Sequence, residues 1–150
     1  MDQNNLAELF SLTTEIRRKN ALVMSLKLKE YDITHEQWFV LRTIENTDFS
    51  TQKTIAKLTN KSKSTLTRIL DQLEQKDLIK RHINNKDRRS IVLVETDKGK
   101  TLVQQILPIE NEIRGRIRNG ISEEELIHTK NVFMKLLENI EEIRRDITGK

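Results

Sequence analysis

Apolar positions recur at spacings of three and four almost from the start of the chain. Leu6, Leu9, Phe10 and Leu12 open an apolar face that Ile16, Val23 and Leu26 extend, so LAELFSLTTEIRRKNALVMSLKLKEYDI reads as an amphipathic helix. A fuller start signal follows in Ile33-Thr34-His35-Glu36-Gln37-Trp38. Thr34 suits a helix cap, Gln37 stands three residues on to return the bond, and Ile33 is spaced to pack against Trp38. Trp38, Leu41 and Ile44 form the inward stripe of that helix. Thr51 caps a shorter one, QKTIAKL, in which Ile55, Ala56 and Leu58 are available for packing and which ends near Thr59-Asn60-Lys61. Ser62 caps the next, where Leu66, Ile69, Leu70 and Leu73 share one broad face and Ser64, Thr65 and Arg68 lie on another.

After Lys76-Asp77 the period changes. LIKRHI and SIVLV are short β-prone runs separated by NNKDRR, whose asparagines and aspartate favour a turn. Such a hairpin needs its neighbouring helices, because a lone two-stranded sheet is marginal. Thr96 starts another helical region, with Leu102, Ile106, Ile109, Ile113 and Ile117 in register and Pro108 expected to bend or interrupt it. Gly120 offers a stop. Ser122 with Glu125, flanked by Ile121 and Leu126, offers a restart, and Phe133, Leu136, Leu137, Ile140, Ile143 and Ile147 carry an apolar face to the end of the sequence.

The predicted fold is mainly α with a small β-hairpin wing. Residues 33–95 form a winged helix-turn-helix, residues 1–32 an N-terminal dimerisation helix and linker, and residues 96–150 C-terminal dimerisation helices. The terminal helices carry more apolar surface than the small central module needs. Packing across a two-fold axis is therefore expected, with packing inside one enlarged domain as the alternative.

Composition sharpens this picture. With 35% hydrophobic and 33% charged residues, four glycines and one proline, the chain favours long regular elements over disorder. Aromatics are 4% of residues, which argues against stacking platforms for single strands. The absence of cysteine excludes disulfides, thiol switching and a cysteine nucleophile. No apolar run approaches the roughly 20 residues that cross a bilayer, and MDQNNLAELF lacks a basic lead and an apolar signal core, so a soluble, cytoplasmic protein is expected. The formal charge of +4 is unevenly spread: Gln52 to Val94 holds eleven basic residues against four acidic ones, a surplus of +7 that leaves −3 elsewhere.

That basic segment contains the candidate chemistry. A surface arginine is ordinarily a solvated charge, but a helix set in a major groove would present Ser64 and Thr65 near its start and Arg68 one turn later. In the turn between the two strands, Lys86, Arg88 and Arg89 suit phosphate or minor-groove contact, and Asp87 suits orienting an arginine. His35, His82 and His128 are too widely spaced for a metal motif, and Glu124 with His128 reads as a surface pair, so no metal or cofactor is expected. There is no phosphate-binding glycine loop and no HExxH, which argues against an enzyme.

The ordered set ITHEQWFVL, STQKTIAKL, NKSKSTLTRILDQLEQKDLIKRHINNKDRRSIVLVETDKG resembles the MarR family of bacterial winged helix-turn-helix transcription regulators, in detail from Ile33 to Gly99. The resemblance implies a homodimer on a pseudo-palindromic double-stranded operator, most often repressing. Ser62, Ser64, Thr65 and Arg68 match the exposed recognition-helix positions, Asp87 and Arg89 match the wing pair in which the acid orients a minor-groove arginine, and Lys63 and Lys86 suit phosphate. It also implies a small aromatic or phenolic effector in a crevice beside the dimerisation helices, for which Trp38 is either pocket wall or plain core. Two positions depart from the family pattern: Thr54 stands where Glu is frequent, and Glu95 where an apolar residue is common. A winged-helix protein-interaction module and a metal-responsive regulator are the competing expectations.

Overall fold

The computed structural model describes residues 3–48, 50–83 and 91–149. Helix α1 (Gln3–Leu28) runs into a 3-10 turn (Lys29–Tyr31), followed by α2 (His35–Glu45), α3 (Gln52–Thr59), α4 (Lys63–Gln75), β1 (Ile79–Ile83), β2 (Ile91–Glu95), α5 (Asp97–Ile117) and α6 (Glu123–Thr148). The chain divides into two compact units, Met1–Glu110 and Asn111–Lys150.

Each predicted cap forms. The hydroxyls of Thr34, Thr51, Ser62 and Ser122 accept from the backbone amides of Gln37, Thr54, Thr65 and Glu125. At Thr34 and Ser122 the return bonds are also present, from the cap amides to the side chains of Gln37 and Glu125. These bonds satisfy amides that a helix start otherwise leaves unpaired. The far end of α4 closes in a tight turn. Asp77 takes a left-handed conformation at φ 56, its amide donates to the Glu74 carbonyl, and the Leu78 amide reaches back to Leu73 at 2.9 Å. Leu73 and Leu78 are both buried, so this ending carries the apolar contact that usually accompanies it.

Within the first unit the core is built from one face of each element. Trp38, Val40, Leu41 and Ile44 come from α2, Ile55 from α3, and Leu66, Ile69, Leu70 and Leu73 from α4; Ile79, Leu93, Val103 and Ile106 join from the hairpin and α5. Leu58 is 55% exposed, against the expectation that it packs. In a helix of eight residues only Ile55 and Thr59 are buried, and Leu58 falls outside that narrow stripe.

The hairpin is antiparallel, pairing Ile79 with Glu95 and Ile83 with Ile91. It gains a third partner that the sequence pattern did not announce: Thr51 bridges to Val92, and the Leu93 amide donates to the Ser50 carbonyl at 2.7 Å. Ser50 is itself buried, its hydroxyl donating to the carbonyls of Ile44 and Thr47. The loop before α3 is thereby tied to both α2 and the wing.

Helix α5 continues through Pro108 without interruption. Gly120, at φ 80, ends the turn that follows it. The terminal helices carry long exposed apolar faces. In α1, Leu6, Phe10, Leu12, Ile16, Val23 and Leu26 are exposed, while Met24 and Leu28 are buried. In α6 no described residue is buried, and Leu137, Ile140, Ile143 and Ile147 are exposed. Among the described residues no helix is long and apolar enough to cross a membrane.

Candidate nucleic-acid interface

Helix α4 separates two kinds of residue by its own geometry. Leu66, Ile69, Leu70 and Leu73 are buried, whereas Ser62, Lys63, Ser64 and Arg68 are exposed. The apolar face fixes the rotation of the helix, and the polar face is what remains outward. Several bonds then hold that orientation. Gln37, only 4% exposed, accepts from the Thr34 amide and donates to Gln72 at 3.1 Å, tying α2 to α4. From α3, Gln52 donates to Thr67 at 2.8 Å, and Thr67 donates to the Lys63 carbonyl.

The hydroxyls at the start of α4 are partly engaged with one another. Ser62 lies 3.1 Å from Ser64 and donates to Thr65 at 2.9 Å. Thr65 is half-buried and its amide serves the cap, whereas the other helix candidates, Ser62, Lys63, Ser64 and Arg68, are exposed.

Glu36, which sequence reasoning did not single out, stands within this face. Its Oε1 is 2.9 Å from Lys61 Nζ and its Oε2 is 4.0 Å from Arg68 Nη2. The hydrogen bond from Lys61 holds its carboxyl below the ordinary glutamate value, with burial opposing and the charges of Lys61, Arg68 and His35 assisting. Lys61 retains only 15% side-chain exposure, against 61% for Arg68.

The wing is fastened to the same helix. Arg81 on β1 donates to Asp71 at 2.7 Å and to Glu74 through a second guanidinium nitrogen, while its backbone amide also donates to Glu74. Lys76 pairs with Asp32 at 3.2 Å. The basic surplus counted along the sequence is thus partly engaged within the fold, at Lys61, Lys76 and Arg81. Lys53, Lys57, Lys63 and Lys80 are exposed. Lys86, Asp87, Arg88 and Arg89 lie outside the described residues.

Trp38 is 2% exposed, and the Arg42 guanidinium sits over its ring at 5.7 Å from the centroid. Arg42 also pairs with Glu45 and, at 3.6 Å, with Glu110. His35, nearby in the chain, has its imidazole pKa lowered by burial against the charges of Glu36 and Glu110. Among the described residues no three His, Asp or Glu side chains gather to hold a metal ion.

The MarR family model matches residues 33–91, the segment containing every element of this face. A MepR–DNA complex from S. aureus is 30% identical, with a TM-score of 0.77 over 87% of this chain and 96% of its own. The chain belongs to the MarR family of winged helix-turn-helix transcription regulators. The transcriptional regulator PA3341 is 27% identical, with a TM-score of 0.82 over 89% of this chain and 98% of its own. A mutant MarR from E. coli complexed with operator DNA, 22% identical, has a TM-score of 0.78 over 91% of this chain and 99% of its own, and shares the fold.

Both departures from the MarR pattern have a local structural counterpart. Thr54 lies 2.9 Å from Thr51, hydroxyl to hydroxyl, in place of a carboxylate reaching back to the cap amide. Glu95 ends β2 opposite Ile79, and its Oε1 is buried without a hydrogen-bond partner. Burial pushes its carboxyl above the ordinary value, with Lys100 and Arg42 opposing. An apolar side chain would meet no such cost there.

Proposed function

We propose that this MarR-family chain acts in the cytoplasm as a homodimeric repressor. It binds a pseudo-palindromic double-stranded operator and is released by a small aromatic or phenolic ligand. The observation that carries the reading is the two-faced helix α4, buried along Leu66, Ile69 and Leu73 and exposed along Ser62, Lys63, Ser64 and Arg68. Set in a major groove, Arg68 is the side chain suited to a bidentate pair with guanine, Ser64 and Thr65 to more permissive contacts, and Lys63 to phosphate. MepR, 30% identical, has been solved with DNA, which supports the same use of this surface here.

Residues 33–95 are the DNA-binding module in this proposal. Residues 1–32 and 96–150 supply self-association, and the exposed apolar faces of α1 and α6 support that role. A two-fold dimer would address half-sites about 34–36 Å apart, one helical turn. In the wing, Lys86 and Arg88 contact phosphate, and Asp87 orients Arg89 toward the minor groove.

Selection of bound fragments from a random duplex library, followed by footprinting, tests the proposal. A reproducible motif with two-fold symmetry is expected; recovery of no motif across a range of salt would sink it. On the selected duplex Arg68→Ala should cost about 1 to 3 kcal/mol and relax preference at one position per half-site. Equal weakening on a scrambled duplex would reassign Arg68 to phosphate. Lys86→Ala should lower the salt slope of binding by about one for each phosphate that the side chain neutralises in the wild type.

A further inference from the structure

A carboxylate in the middle of a DNA-facing surface is unfavourable for affinity, since every approaching phosphate repels it. Glu36 nevertheless stands there, its side chain 54% exposed, bonded to Lys61 and 4.0 Å from the Arg68 guanidinium. The helix start does not require it, because the caps at Thr34 are supplied by Thr34 and Gln37. Lys61, on the turn between α3 and α4, bonds the carboxylate at 2.9 Å and so favours its place beside Arg68.

We infer that Glu36 is a positioning and specificity-determining residue that acts through Arg68. The inference rests on the proposed role of Arg68 as a base reader. When Arg68 reaches for a backbone phosphate, the phosphate charge is brought close to the Glu36 carboxylate and the contact is penalised. When Arg68 pairs with the neutral acceptor edge of guanine, no second anion is brought near. The carboxylate then stays as a counter-charge 4.0 Å from the guanidinium. Glu36 thus discourages the wrong contact more than the right one, which raises discrimination by repulsion.

The test measures binding of the full-length wild type, Glu36→Gln, Arg68→Ala and the double variant to two probes. These are the duplex selected by the wild-type protein and a scrambled duplex of equal length and composition, at one salt concentration. Glu36→Gln should tighten scrambled-duplex binding about 3- to 10-fold while tightening the selected duplex by less, so the ratio of the two affinities falls. In the Arg68→Ala background the same substitution should leave that ratio unchanged. Equal tightening on both probes would make Glu36 a general charge effect and overturn the inference. So would an unchanged ratio, or the same fall in ratio with and without Arg68. If the wild type selects no duplex at all, the DNA-binding proposal and this inference fall together; if it selects one and Glu36→Gln keeps the ratio, only this inference falls.

Discussion

Gly99→Ala is expected to damage the joint where the end of α4, the start of β1 and α5 meet. A Cβ at Gly99 would sit 2.1 Å from the Leu78 carbonyl oxygen and 3.1 Å from its carbon. Relief requires a displacement of about 1 Å, and the obstacle is backbone, not the end of a flexible side chain. Leu78 has little room to give. Its carbonyl accepts from the Thr96 amide at 3.1 Å, its amide donates to Leu73, and the residue is 3% exposed. Thr96 is committed in turn, donating to the Asp77 carbonyl at 2.6 Å and accepting from the Gly99 amide at 3.0 Å. Overpacking of this kind costs about 3 kcal/mol, and a strained or broken hydrogen bond adds about 1. Better helix propensity returns at most about 1, leaving a net loss of about 3 kcal/mol. Urea unfolding followed by circular dichroism, at matched chain concentration, should show that loss, and the melting temperature should fall by about 6 to 12 °C. Gly115→Ala is the paired control. Nothing lies within 4 Å of its added Cβ, so the same substitution in the same helix should stabilise by up to about 1 kcal/mol. A Gly99→Ala protein within about 0.5 kcal/mol of wild type would refute the steric reasoning.

Three further outcomes follow from neighbouring side chains. Glu95 has a raised carboxyl pKa, so the folded chain binds that proton more tightly than the unfolded one; the resulting destabilisation is present at neutral pH and vanishes as pH falls through the raised value. Glu95→Gln should therefore stabilise the protein near about pH 7.5 and lose that advantage near about pH 4, and an equal effect at both in urea titrations would contradict the assignment. Arg81→Ala removes the tie to Asp71 and Glu74 and should cost about 1 to 3 kcal/mol, with Arg81→Lys recovering only part because an ammonium cannot span both carboxylates as the fork does. Thr51→Ala deletes the cap of α3 and should cost about 1 kcal/mol in the same assay; no measurable loss would mean that water replaces the cap.

Local features of this chain were legible from sequence and distant ones were not. The capping residues Thr34, Thr51, Ser62 and Ser122 could be read directly because a cap and its amide lie three residues apart. The change of period after Asp77 likewise marked the real end of α4. By contrast, Glu36 meets Lys61 and Arg68 only after α2 and α4 have packed, and Arg81 meets Asp71 only after β1 has folded back along α4. In sequence each of these looks like one more surface charge, so a charge tally counts Lys61 and Arg81 as free for a partner. Leu58 fits helical spacing, yet spacing says nothing about how wide a stripe an eight-residue helix buries. Pro108 shows the reverse: proline disfavours a helix interior, but of the bend or interruption expected there the interruption does not occur, since α5 continues through it.

Arg81 has one more consequence. By bonding β1 to Asp71 and Glu74 of the helix that bears Arg68, it ties the base of the hairpin and that helix into one piece. If α4 and the hairpin both contact DNA, as proposed, a base tied in this way would make the reach across one half-site a property of the subunit. Tolerance for variant operators would have to come from the spacing between subunits, which leaves the centre of the site, and not its arms, free to drift.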